Sequence, residues 1–177
     1  MNLFFTLLAF GAAAAALAVV AALALPAAGW RRLRADIADA ALPLALAVAA
    51  TSMAGSLYYS EVEDFSPCKL CWFQRICMYP LVALLAVAVV RRDRLVRFYA
   101  LPLSMIGAGV SIYHYQLQQF PSQHSSFCTL ETPCTAKEVD QFGFVTIPLM
   151  ALAGFCFISV LLLSTHLTNR TEESTRP

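Results

Sequence analysis

Apolar residues run along this chain in five long stretches separated by short polar ones. They extend from Leu3 to Trp30, Ala40 to Ser60, Trp72 to Val90, Phe98 to Phe120 and Phe142 to Leu163. Crossing about 30 Å of hydrocarbon at about 1.5 Å per residue takes roughly 20 residues, so each is long enough to span a bilayer. Lipid cannot solvate an open sheet edge, and all five are therefore expected to be helices. Four carry no charged side chain; the third contains Arg75. Pro43, Pro80, Pro102 and Pro148 are expected to bend or start helices, which membrane segments tolerate.

The first stretch lacks the basic lead of a signal peptide and its apolar run is too long, so it reads as a retained helix. Its small-residue run, Ala12 to Ala16, offers a surface for close helix packing.

Composition agrees with the pattern. The chain is 59% hydrophobic and 13% charged, against about 25% charged in soluble domains. This is the composition of an integral membrane protein. A net charge of +1 gives no reason to expect a nucleic-acid partner. Arginine then sets the orientation. Arg31, Arg32 and Arg34 lie between stretches one and two, Arg91, Arg92, Arg94 and Arg97 between three and four, and Arg170 and Arg176 in the tail. With five alternating helices these share one side, which the positive-inside rule makes cytoplasmic. The segments around 61–71 and 121–141 face outward, as does the N-terminus, and the C-terminus is cytoplasmic.

The two outward loops hold four of the six cysteines. Cys68 and Cys71 sit in the first and Cys128 and Cys134 in the second. Two helices separate the loops, so both pairs fall on one side whether or not the first stretch spans. In a bacterium that is the oxidising side. A Cys-x-x-Cys opening a helix has a physical use, because the helix dipole and free N–H groups favour a thiolate. Cys71 lies at the first turn, with Lys69 adding positive charge. Redox activity, a four-sulfur zinc site and idle thiols all remain open on spacing alone. Cys77 and Cys156 fall inside apolar stretches and read as small hydrophobes.

Arg75 is the one arginine away from the cytoplasmic side. It lies four residues past Cys71, on the same helix face. It either holds an electron-accepting ring beside Cys71 or anchors the helix at the interface with Trp72. His114 lies late in the fourth stretch, near the same interface, where a hydrogen-bonded bundle histidine and a proton-handling one are both consistent with position. His124 and His166 have no neighbour in sequence that gives them chemistry, and no phosphate loop or His-Glu-x-x-His motif is present.

Three stretches together resemble the DsbB/BdbC family of disulfide bond formation proteins, and its BdbC-like branch most closely. "GSLYYSEVEDFSPCKLCWFQRICMYPL", Gly55 to Leu81, is similar to the first cysteine loop and the helix after it. "SIYHYQLQQ", Ser111 to Gln119, is similar to the third family helix. "PCTAKEVDQFGFVTIPLMAL", Pro133 to Leu152, is similar to the exit from the second cysteine loop. The short Cys128-x5-Cys134 spacing fits the BdbC-like branch. The departure is the extra apolar stretch before the core, which reverses the side of the N-terminus and leaves the core orientation unchanged.

The resemblance implies an all-α integral membrane four-helix bundle, here with an additional N-terminal transmembrane helix. The expected division is 1–40 for that helix and a short connection, 41–165 for the bundle, and 166–177 for a cytoplasmic tail. It further implies a multi-pass enzyme of the bacterial inner (plasma) membrane. Such an enzyme reoxidises an extracytoplasmic thioredoxin-like protein of DsbA/BdbD type and passes the electrons to a membrane quinone, ubiquinone or menaquinone. Cys68 and Cys71 match the quinone-proximal pair, Cys128 and Cys134 the partner-facing pair, and Arg75 the quinone-associated arginine; His114 matches a histidine near the quinone in some members. No metal is implied. The composition of 121–132, with Ser and Gln and no long apolar run, is that of a mobile loop. One rival is an enzyme exporting reducing equivalents, but the expected cytoplasmic loops hold no cysteine. The other is a zinc-stabilised scaffold.

Overall fold

The computed structural model describes residues 2–24, 31–121, 128, 133–137 and 139–173. Among these are five helices: α1 Asn2–Ala24, α2 Arg31–Glu61, α3 Lys69–Arg91, α4 Arg97–Gln119 and α5 Ile147–Glu173. In the bundle, α5 packs against α2 and α4, and α3 against the same two helices, closing a ring of four. Helix α1 lies outside that ring, mainly on α5 with a smaller contact to α2. The fold is an all-α membrane bundle of four helices with a fifth at its N-terminal side.

The core is made by facing small and large side chains. Ala41, Ala45 and Ala49 recur every four residues on α2 and are fully buried, alongside Leu81 and Leu85 of α3 and Phe155 and Ile158 of α5. Phe155 lies so close to α4 that a Cβ at Gly107 would come within 2.4 Å of its ring. Only glycine admits that approach.

The outer surface is apolar. Trp72, Phe73, Ile76, Val87, Met105, Ile106 and Ile112 are all exposed. Soluble monomers rarely expose contiguous apolar patches of more than a few hundred Å², whereas lipid covers this surface. Among the described residues four helices, α1, α2, α3 and α5, are long and apolar enough to cross a membrane. Helix α4 has the length, 23 residues, but is less apolar than expected. Its polar residues turn inward: Ser104, Ser111, His114 and Gln118 are buried while Met105, Ile106 and Ile112 face out.

Helix ends differ from the sequence expectation in three places: the starts of α2 and α5, and the end of α5, which runs to Glu173 rather than Leu163 and takes in the first residues of the expected 166–177 tail. Helix α2 starts at Arg31 rather than near Ala40, so the expected boundary at 40/41 falls inside a helix. Arg34 explains the extension: its Nε and Nη2 donate to the carbonyls of Ala22 and Leu23 at 3.0 and 3.1 Å. Those are carbonyls at the C-terminal end of α1, which lack helical partners. Helix α5 starts at Ile147 rather than Phe142. Residues 141–145 instead form a turn closed by an antiparallel bridge between Gln141 and Val145, with positive φ at Phe142 and Gly143. Pro148 then sits in the first turn of α5, where a missing N–H costs no helical bond.

The elements position the chemistry at one end. Helix α3 runs from the Cys68–Cys71 end to Arg91, so the arginine-rich junctions and the cysteines occupy opposite ends of the bundle. The N-terminal end of α1 lies at the cysteine end, since Phe5 packs against Tyr58 and Tyr59 near the close of α2. His124, Glu131 and most of 121–132 lie outside the described residues.

Candidate active site

Cys68 is the N-cap of α3, in an extended conformation. Its carbonyl accepts from the N–H of Trp72 at 3.1 Å. Cys71 follows in the first turn, and the two sulfurs are 3.3 Å apart, within thiol hydrogen-bond distance. The pair thus opens the helix, as the spacing predicts.

His114 reaches the pair from α4. Its Nε2 is 3.6 Å from Cys68 Sγ, and the ring is buried. Cys68 is held well below the ordinary thiol range. The hydrogen bond from the Cys71 thiol is the largest cause, and His114 adds to it against the burial that opposes ionisation. The sequence assigned the favoured thiolate to Cys71, on its helix position; the partners that the bundle supplies favour Cys68.

Cys128 and Cys134 form a disulfide, with Cα atoms 5.7 Å apart. Cys134 is buried and Cys128 half-buried. Both pairs meet in one apolar cluster with Leu70, Leu117 and Val110. Gln118, one turn beyond His114, donates from Nε2 to the carbonyl of Ala136 at 2.8 Å and ties the second cysteine segment to α4. The sequence reading did not single out Gln118; its i+4 spacing from His114 was the available signal.

Arg75 points toward α2. Its Nε donates to Ser56 Oγ at 2.9 Å and its Nη2 to the Ser56 carbonyl at 3.0 Å. Its guanidinium carbon lies 5.3 Å from the Trp72 ring centroid. The contact to Trp72 fits an anchor, and the fixed orientation fits a placed cation. Ser56 was not foreseen as its support. Beside it, Gln74 donates to Ser111 Oγ at 3.0 Å, linking α3 to α4. Cys77 is buried in the main core, while Cys156 is exposed on the outer face of α5.

Two cavities adjoin the site. The larger, about 310 Å³, is mostly apolar and includes Cys71, Gln74, Arg75, Ser56 and Tyr79 in its wall. The smaller, about 100 Å³, is lined by Cys68, Cys71, His114 and Gln118 on one side and Pro133, Ala136 and Val139 on the other. Cys71 belongs to both walls and Cys68 only to the smaller.

The chain matches the family model described as "Disulfide bond formation protein DsbB" over residues 38–167. The chain belongs to the DsbB family. It is similar to "Probable disulfide formation protein C 1" of Bacillus cereus (48% identical over 107 residues, 60% of this chain and 77% of that protein). It is also similar to "Disulfide bond formation protein C" of Bacillus subtilis (45% over 116 residues, 65% and 84%). A third relative is "Probable disulfide formation protein C" of Halalkalibacterium halodurans (45% over 114 residues, 63% and 82%). No solved structure matches the chain significantly. As a DsbB family member with helices that can span a membrane, it is a multi-pass membrane disulfide-generating oxidoreductase.

The four-sulfur zinc site weighed from the sequence is not formed, because Cys128 and Cys134 bond to each other. The ligand atoms of Cys68, Cys71 and His114 do lie within 4.8 Å of one another and could hold a soft cation. Three donors are one short of a closed tetrahedral zinc site.

Proposed function

We propose that the chain reoxidises an extracytoplasmic thioredoxin-like dithiol protein of DsbA/BdbD type and delivers the electrons to ubiquinone or menaquinone in the bilayer. The observation that carries this reading is the position of Cys71, in the wall of both cavities, with Cys68 facing only the smaller.

The protein steps are thiol–disulfide exchanges. A partner thiolate attacks Cys128, the more exposed sulfur of its disulfide, and Cys134 leaves as the thiol. The second partner thiol resolves the mixed disulfide, so the partner leaves oxidised and Cys128 and Cys134 carry its two electrons and protons. These thiols then reduce a Cys68–Cys71 disulfide through the shared cluster, which restores Cys128–Cys134 and leaves two thiols at the head of α3. His114 steadies the Cys68 thiolate during exchange.

The larger cavity fits a quinone head in size and chemistry. Ligand pockets span about 300–1,000 Å³ and are apolar with a few placed polar groups; this one has about 310 Å³ with Arg75, Gln74 and Ser56 as its polar members. A quinone bound there supplies a two-electron, two-proton acceptor. Ser56 fixes Arg75 so that its remaining donors can meet a ring oxygen.

The arginine-rich junctions at the far end of the bundle support placing the cysteine end outside the cytoplasm. The test is quinone reduction by purified protein supplied with a reduced thioredoxin-like protein. Absorbance loss of the quinone in step with partner oxidation is expected; partner oxidation without quinone consumption would refute the reading.

A further inference from the structure

Helix α1 lies outside the region matched by the family, which begins at residue 38. It is nevertheless part of the larger cavity. Phe5, Leu8, Ala9 and Ala12 line it, and their spacing of i, i+3, i+4 and i+7 is that of a single helix face. A helix that served only to anchor the chain in lipid would have no need to turn one continuous stripe toward Cys71 and Arg75.

The stripe is graded in size. Ala9 and Ala12 leave room, while Phe5 stands at the cysteine end. The Phe5 ring sits over Gly55, where a Cβ would come within 2.8 Å of it. Its centroid is 5.5 Å from that of Tyr59, which stacks on Phe65 at 5.8 Å and 6°. Phe5, Tyr59 and Phe65 all border the cavity, so an aromatic column drawn from α1, α2 and the first cysteine loop forms part of its wall. The helix is fixed along its length as well. Phe10 meets Phe144 at 6.3 Å, and Arg34 holds the carbonyls of Ala22 and Leu23.

We propose that α1 is a wall of the quinone site, with Ala9 and Ala12 setting the room for the bound quinone and Phe5 lining it within the aromatic column. This rests on the quinone reading above and adds to it a binding determinant from outside the matched family region. Quinone affinity then depends on side-chain volume at position 9, and an added ring there competes with the ligand for space.

The test is photolabelling of the full chain in lipid nanodiscs with an azido-ubiquinone, the labelled peptides being mapped by mass spectrometry. Dissociation constants of the unmodified quinone are read by competition. Label is expected both between Phe5 and Ala12 and on the peptide carrying Cys71 and Arg75. Ala9→Phe is expected to weaken binding on the order of tenfold or more, the range in which small volume changes in apolar pockets discriminate ligands. Thermal unfolding and the presence of the Cys128–Cys134 disulfide report whether that variant folds. If it does not, Phe5→Ala supplies the second reading and is expected to weaken binding and to lower labelling of the Phe5–Ala12 segment. Label on the Cys71–Arg75 peptide but none on α1, with affinity unchanged in the folded variant, would overturn the wall and leave the quinone site standing. Label on no helix would overturn the quinone reading itself.

Discussion

His114 on α4 places Nε2 3.6 Å from the sulfur of Cys68 at the head of α3. The two are 46 residues apart in sequence, and the contact exists only because α3 and α4 pack side by side. A thiol lowered by such partners is ionised where a free cysteine, with its pKa of about 8.5, is not. In reduced protein, alkylation of Cys68 is expected to stay fast at neutral pH and to fall only in acid, as the thiolate takes up a proton. The stability that this thiolate contributes is present above the unfolded thiol pKa and is lost as pH falls through the lowered folded value. His114→Leu should move the alkylation midpoint upward by about one to two pH units, the worth of one hydrogen bond to a charged group. Peptide-resolved mass spectrometry reads this directly; superimposable profiles would deny His114 any hold on the sulfur.

Arg75 is oriented by Ser56 and shares a cavity with Cys71. Arg75→Ala should raise the apparent KM for quinone by roughly ten- to a hundredfold, since a charge-assisted hydrogen bond is worth about 1.5–3 kcal/mol. Single-turnover oxidation of the partner should survive, because the second disulfide lies elsewhere. Lysine should rescue only in part, since a compact ammonium lacks the planar fork of donors. Ser56→Ala removes the hydroxyl acceptor but leaves the Ser56 carbonyl, so a smaller change in the same direction is expected. An unaltered KM in Arg75→Ala would leave the arginine as an interface anchor beside Trp72.

The placement of Cys68, Cys71 and Arg75 at the head of α3 was legible because it depends on local spacing. Cys-x-x-Cys and an arginine one turn later keep the same relation in any helix. Ser56, Gln74 and Gln118 were not, because a neutral polar residue in an apolar run takes its meaning from the helix it meets. Helix ends failed where tertiary contacts decide them. The first turns of α2 are polar and read as a connection, yet Arg34 is held by the end of α1. Residues 142–146 look apolar enough to be helix, but the backbone turns there with positive φ at Phe142 and Gly143. The amphipathicity of α4 is inverted, polar inward, and a reading of Phe98 to Phe120 by length alone sees only an ordinary span, although the helix is less apolar than the other four.

Orientation is open to labelling in intact cells. After mild reduction, a membrane-impermeant thiol reagent should reach Cys128, which is half-buried, before Cys134, which is buried. A cysteine placed at Asp93, in the turn between α3 and α4, should stay unlabelled until the membrane is opened. Labelling of position 93 in intact cells would reverse the proposed sidedness.

The order of the relay follows from burial and from the two cavities. Cys128 is the less buried member of its disulfide, and Cys134 is buried with Leu70, Leu117 and Cys68 in the cluster against which Cys128 also packs. A partner thiolate should therefore attack Cys128. With Cys134→Ser, the internal thiol that would reverse the attack is gone, and a Cys128–partner mixed disulfide should accumulate on non-reducing gels. With Cys128→Ser, the remaining sulfur is buried and little adduct is expected. Cys71 borders the larger cavity and Cys68 does not. Cys71→Ser should thus still allow one equivalent of partner to be oxidised by Cys128–Cys134, with no turnover on quinone. A stable adduct in Cys128→Ser but not in Cys134→Ser would invert the assignment within the second pair. Sustained quinone reduction by Cys71→Ser would remove Cys71 from the central step, and with it the reason for a cysteine pair to open a helix beside the cavity.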